Sequence, residues 1–169
     1  NPAGRVWTRR ELQTLFDICR KHHVFVISDE IHQDLTFDSH THIPSFCAGS
    51  YDDMMITVTA PSKTFNLAGC QNSVILIPDE KLRRKWDEFV TCIRIQNGNV
   101  FGYVAAEAAY SEGRKWFEEV KEIIYGNYLF VKDSFAKTLP EVVVSPIEGT
   151  YLCWFDMKAY VKPEEMKDF

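Results

Sequence analysis

Three apolar runs constrain this chain most: Val24-Phe25-Val26-Ile27, Met54-Met55-Ile56-Thr57-Val58-Thr59 and Val74-Ile75-Leu76-Ile77. The first shows no alternation of apolar with polar residues, and the other two read as further buried strands. An unbroken run of β-branched and aromatic residues predicts a strand covered on both faces, as in a parallel sheet. Helical patterns precede and follow these runs. Thr8 and Glu11 have the spacing of a capping box, and Leu12, Leu15, Phe16 and Cys19 mark one face of a helix of about four turns. Buried strands flanked by helices predict an α/β domain.

The remainder adds a second, smaller unit. Residues 32 to 53 hold Pro44, Gly49 and several histidines, which predicts a long irregular crossover with at most a short helix around Phe46. Pro78 and Asp79 start a helix that runs to about Ile95, and Ala105, Ala106, Ala108 and Ala109 favour another from Val100 to Ser111. Gly113 is a break. Trp116, Val120, Ile123, Ile124, Val131 and Phe135 then fall near helical spacing until Pro140. Val142–Val144 and Tyr151–Phe155 read as strands, and Pro163-Glu164-Glu165 as the start of a last helix. The domain boundary is expected near Gly113, with residues 1–112 in the first domain and 113–169 in the second.

The 169 residues carry a net charge of -5, which argues against a nucleic-acid surface. No apolar run approaches the ~20 residues needed to cross a bilayer. Five scattered cysteines without CxxC spacing suggest reduced, packing thiols and a cytoplasmic protein. His32, His40 and His42 lack a neighbouring cysteine or carboxylate set, so no metal site is expected. Tyr103, Tyr110, Trp116 and Trp154 are expected to pack in the core.

The chemistry stands at the ends of the strands, where ligands bind in open α/β sheets. Lys63 follows the second run in Ala60-Pro61-Ser62-Lys63-Thr64-Phe65-Asn66-Leu67-Ala68-Gly69. A lysine leaving a buried strand packs poorly, but it can reach a carbonyl and form a Schiff base. Asp29 follows the first run in Ser28-Asp29-Glu30-Ile31-His32. An acid there needs a cation, and a protonated pyridine nitrogen is one such partner. Taken alone, Asp29 could equally cap a helix or pair with Arg5 or Lys63, and Lys63 could be a surface lysine in a turn.

Asn1-Pro2-Ala3-Gly4-Arg5, the strand ending in Asp29-Glu30, and Ser62-Lys63-Thr64-Phe65 with Ala68-Gly69 occur in the order that resembles class I/II aminotransferases and their relatives, the pyridoxal-phosphate enzymes of the aspartate aminotransferase fold. The resemblance covers essentially the whole chain. It implies the C-terminal part of a fold-type-I large domain, a mostly parallel sheet with helices, plus the start of an α+β small domain. The implied cofactor is pyridoxal 5'-phosphate. Asn1 would hydrogen-bond its phenolic oxygen, Asp29 its ring nitrogen, and Ser62 would sit near the phosphate. Lys63 would hold the cofactor and then act as the catalytic base.

Three features look most similar to the cystathionine β-lyase/C–S lyase branch. His32 stands where many aminotransferases have a tyrosine, and Gln71 where many have a phosphate-binding arginine. Gly149-Thr150-Tyr151-Leu152-Cys153-Trp154-Phe155-Asp156 resembles that branch's small-domain strand. His32 could donate to the phenolic oxygen or be a satisfied histidine at the pocket edge. Gln71 can hydrogen-bond a phosphate but brings no charge. The implied reaction is α,β-elimination on a sulfur amino acid, giving thiol, pyruvate and ammonia, by a homodimeric parent. The alternatives are an aminotransferase, or a silent fragment or interaction module. The chain reads as a piece of a longer protein. On that reading it lacks the phosphate-cradling loop, the ring-stacking aromatic and the carboxylate-binding arginine, and is inactive alone.

Overall fold

The computed structural model describes residues 3–95 and 98–162. The chain divides into two compact units. One comprises Trp7–Asp34 and His42–Phe117, and the other Asn1–Val6, Leu35–Thr41 and Glu118–Phe169.

The larger unit opens with α1 (Arg9–Lys21). Thr8 and Glu11 form the expected capping box, with each side chain meeting the other residue's backbone N–H. Leu12 and Phe16 face inward, where they pack with Ala48, Tyr51, Met54 and Met55. Tyr51 meets Phe16 edge to face and donates to the Asp17 carboxylate at 2.8 Å. Leu15, expected on the same face, is 40% exposed.

The strands are β1 (Val26–Asp29), β2 (Met55–Thr59) and β3 (Val74–Leu76), in that spatial order. β1 and β2 are parallel, with Asp29 opposite Val58. The α/β class therefore holds, and the irregular crossover contains the short 3-10 turn Ser45–Cys47 around Phe46. β3 departs from the mostly parallel expectation, because it runs antiparallel to β2 with Val74 opposite Thr59. The cause lies in the link. Between β2 and β3 stand only the one-turn helix α2 (Pro61–Thr64) and the 3-10 turn Ala68–Cys70. A parallel return needs a crossover long enough to span the sheet. β3 thus starts at the edge where β1 and β2 end.

Coverage on both faces is a second expectation that fails. Burial along β1 alternates, with Val26 and Ser28 partly buried and Ile27 66% exposed. Val26 packs towards the α1 core, and among the described residues of this unit the face bearing Ile27 is not covered to the same degree.

Helices α3 (Glu80–Cys92) and α4 (Val100–Glu112) follow, capped by the Asp79 and Asn99 side chains. Gly113 ends α4, its N–H donating to the Ala109 carbonyl at 2.9 Å. A Cβ there would lie 2.4 Å from that oxygen, so glycine is required for the break. α5 (Arg114–Thr138) then runs to the turn at Pro140. In the first unit, Phe65 contacts Tyr110, Trp116 and Phe117. The four aromatics expected in the core are instead about half exposed: Tyr103 51%, Tyr110 51%, Trp116 46% and Trp154 53%.

In the second unit, Phe37, Tyr128 and Ile147 form the core, with Ile124, Tyr125, Val144 and Cys153 against it. β4 (Val143–Val144) and β5 (Phe155–Asp156) make a short antiparallel pair. The Gly4 carbonyl accepts from the Glu148 and Gly149 N–H groups, and Thr150 N–H donates to Leu35 at 2.7 Å. Gly4 has φ +77 and only glycine takes that conformation cheaply. The helix expected from Pro163 lies outside the described residues.

Candidate active site

Because β1 and β2 are parallel, their carboxyl ends share one edge of the sheet. Antiparallel β3 starts at that edge. Three segments therefore meet there: the turn after Asp29, helix α2 with Lys63, and the turn before Val74 that contains Gln71.

Asp29 is exposed, and one of its carboxylate oxygens accepts from the Ile31 N–H at 3.1 Å, which fixes the turn after β1. His32 follows in the same turn and is partly buried. Burial holds its imidazole below the ordinary value of 6.5. The nearby Lys63 ammonium pushes the same way and the Asp29 carboxylate opposes it. His32 is therefore within electrostatic range of both Asp29 and Lys63 and is neutral at pH 7. Lys63 and Ser62 are partly exposed in α2, after a run of extended backbone that ends at Ala60. Thr64 is buried, and its hydroxyl donates to the Asp34 carboxylate at 2.7 Å. That bond ties the lysine turn to the segment that carries Asp29 and His32. Tyr110 donates to the same carboxylate oxygen at 3.5 Å, and burial, reinforced by the Asp34 charge, pushes its phenol up to about 12.

Gln71 is exposed and left-handed, φ 48, at the end of the 3-10 turn. Asn99 bonds the neighbouring Cys70 carbonyl and also caps α4 through the Gly102 N–H at 2.7 Å, which docks the start of α4 onto this turn. The structure thus brings Asp29, His32 and Lys63 together and puts Ser62 beside Lys63. Gln71 stands in the neighbouring turn of the same edge. Asn1 lies outside the described residues.

The motifs do not reveal a polar cluster beneath the same strand ends. Ser28 and Thr57 are paired in the β1–β2 ladder, on the face that packs towards α1. Glu30, 5% exposed, lies on this side too. Its carboxylate accepts from the Ser28 hydroxyl at 3.0 Å, from the Ser45 N–H at 2.8 Å and from His42 Nε2 at 2.8 Å. The Ser28 and Ser45 hydroxyls are 2.6 Å apart. Burial opposes the ionised form of Glu30, but the donors from His42 and Ser45 outweigh it and lower the carboxyl below its ordinary 4.5. His40, by contrast, belongs to the other unit, where its ring meets the Phe37 carbonyl and Glu148. The only local sign of the cluster is an acid directly after Asp29. Its partners come from the irregular crossover, where no periodicity marks them.

The chain matches the model of the aminotransferase class I and II family over residues 1–169. It is 39% identical over 161 residues to the cystathionine beta-lyase PatB of Bacillus subtilis, covering 95% of this chain and 42% of that protein. Among solved structures, it is similar to cystalysin from Treponema denticola, which contains pyridoxal 5'-phosphate (TM-score 0.89, 39% identity, 94% of this chain and 41% of that one). It is also similar to the PLP-bound C-S lyase from Staphylococcus hominis (TM-score 0.89, 36% identity, 98% and 41%). The chain thus spans about two fifths of the length of these relatives. With the family model matched from end to end, this chain belongs to the class I and II aminotransferase family.

Proposed function

We propose that the full-length protein is a pyridoxal-phosphate-dependent C–S lyase of the cystathionine β-lyase type. The observation that carries the proposal is the placement of His32 within range of both the Asp29 carboxylate and the Lys63 amine at the carboxyl edge of a parallel strand pair. The donor set fits the cofactor: a carboxylate for a protonated ring nitrogen, an amine for a carbonyl, and a neutral imidazole within electrostatic range of both. When bound, pyridoxal 5'-phosphate supplies an electron sink for the substrate's α-carbon.

Each residue then has a role. Asp29 keeps the proton on the ring nitrogen, so that the sink stays electron-poor. Lys63 would hold the cofactor through its amine and would take the substrate's α-proton. His32, neutral, would donate to or border the phenolic oxygen, the atom for which Asn1 is also proposed. Ser62 and Gln71 offer neutral hydrogen bonds to the phosphate. Loss of the α-proton allows the β-thiolate to leave. The released enamine takes up water to give pyruvate and ammonia.

Residues 1–112 are proposed as part of the cofactor-binding large domain, and 113–169 as the linking helix with part of the small domain. A homodimer and a cytoplasmic location complete the proposal. The apolar surface of α4, where Val100, Phe101 and Val104 are 71%, 83% and 61% exposed, supports further burial in the larger assembly. Among the described residues, no helix is long and apolar enough to cross a membrane. The 169 residues alone are proposed to be inactive.

An aminotransferase would use Asp29 and Lys63 in the same way up to removal of the α-proton, and the family match favours it as the second reading. Assay of the full-length enzyme with cystathionine, with and without 2-oxoglutarate, separates the two. Pyruvate and thiol formed without the acceptor are expected. Strict dependence on the acceptor, with no thiol released, replaces the lyase reading with the aminotransferase.

A further inference from the structure

Residue 30 is held by both its backbone and its side chain. Its N–H donates to the Val58 carbonyl at 2.8 Å, and its own carbonyl accepts from the Thr59 hydroxyl at 3.3 Å and the Gln33 N–H at 2.9 Å. Its carboxylate is bound from three directions by Ser28, Ser45 and His42. Asp29, the preceding residue, faces the opposite side and is exposed. Among the described residues, its side chain accepts a local backbone N–H, that of Ile31 within the turn. The direction of the Asp29 carboxylate is therefore set by the backbone of β1's last residues, and that backbone is held by Glu30.

Stability alone does not account for such a residue. A buried charge pair is often no more stabilising than apolar residues of similar volume, whereas its hydrogen bonds are directional and apolar contacts are not. We propose that Glu30 is a positioning residue for Asp29. Its bonds to Ser28, Ser45 and His42 clamp the end of β1 against the crossover, so that the Asp29 carboxylate is aimed before a ligand arrives. The proposal rests on the reading of Asp29 as the partner of the cofactor's ring nitrogen.

A double-mutant cycle on the full-length holoenzyme tests it, using Glu30→Gln, Asp29→Ala and the pair. A misaimed group costs up to about 100-fold in rate, so Glu30→Gln is expected to lower kcat about 10- to 100-fold with KM little changed. In the Asp29→Ala background the same change should lower kcat by less than about twofold, because the group it acts through is gone. The second readout is the 15N resonance of cofactor labelled at the ring nitrogen. Glu30→Gln should shift it part of the way towards its position in Asp29→Ala.

Equal losses in both backgrounds, an unmoved 15N resonance or wild-type kcat in Glu30→Gln each overturn the positioning role. Wild-type kcat in Asp29→Ala overturns the reading of Asp29 itself and this inference with it. A large Asp29→Ala loss with an additive Glu30→Gln loss overturns only the positioning. Ser28→Ala, which removes one of the three groups bound to the carboxylate, runs the same cycle if Glu30→Gln does not fold. The expected pattern is the same, with a smaller loss.

Discussion

The two faces of the β1–β2 strand ends differ sharply. On the face towards α1, Ser28, Glu30, Ser45 and His42 are largely withdrawn from water and bind one another. On the opposite face, Asp29 is exposed, and His32 and Lys63 are partly so. Both sets contain acid and base, and adjacent residues of one strand feed them. The protein satisfies the first set with its own donors. The second is directed to an accessible edge, where a ligand can supply the partners. Polar residues in one motif can thus have opposite tasks, one holding the backbone and the next using the position so gained.

Variants on the open face should lose activity with little loss of stability, whereas breaking the Glu30 network on the core face should cost stability as well. The largest effect is expected for Lys63→Ala in the full-length protein. General-base function alone is worth up to about 10^4 in kcat, and the melting temperature of the apoprotein should stay near wild type. Asp29→Ala comes next, with kcat about 100- to 1000-fold lower, as for other lost electrostatic stabilisers. Near wild-type turnover would reduce Asp29 to the turn-forming residue its bond to Ile31 already makes it.

The positions of these two groups were legible because apolar runs end where strands end. The capping box of α1, the helix break at Gly113 and the short turn at Phe46 were legible for the same reason: local chemistry decides them. The direction of β3 was not, because it depends on how the link through α2 travels in space. Nor was the exposure of Ile27, since an unbroken apolar run reports what a strand can tolerate and not what covers it. The clamp around Glu30 joins residues from the strand to residues far along an irregular crossover. Thr150 is another such case: buried and left-handed at φ 64, it is held by a bond to Leu35, far away in the chain.

On the core face, Glu30→Gln should cost about 2–3 kcal/mol of stability at neutral pH, as expected when a charged, buried acceptor loses its charge. The pH dependence follows from the direction of the shift. The folded protein holds the Glu30 carboxyl below its ordinary 4.5, so its contribution is complete above that value and is lost as pH falls through the folded one. Wild type should therefore lose stability more steeply than Glu30→Gln in acid denaturation below pH 4.5. Parallel curves would mean that the clamp is not ionic.

The smallest effect is expected one residue across the ladder. Thr57 is 2% exposed, and among the described residues its hydroxyl is a buried oxygen without a hydrogen bond. Thr57→Val removes it with little change of shape, and chemical denaturation should show a gain of about 1 kcal/mol. A loss would show that the hydroxyl serves the core-face network after all.

The open edge is proposed to hold a cofactor through Lys63. Borohydride reduction of the full-length holoenzyme, followed by peptide mapping, tests it most directly. One modified peptide is expected, with the pyridoxyl label on Lys63 and none in Lys63→Ala. A label on Lys81, Lys85 or any other lysine would contradict it.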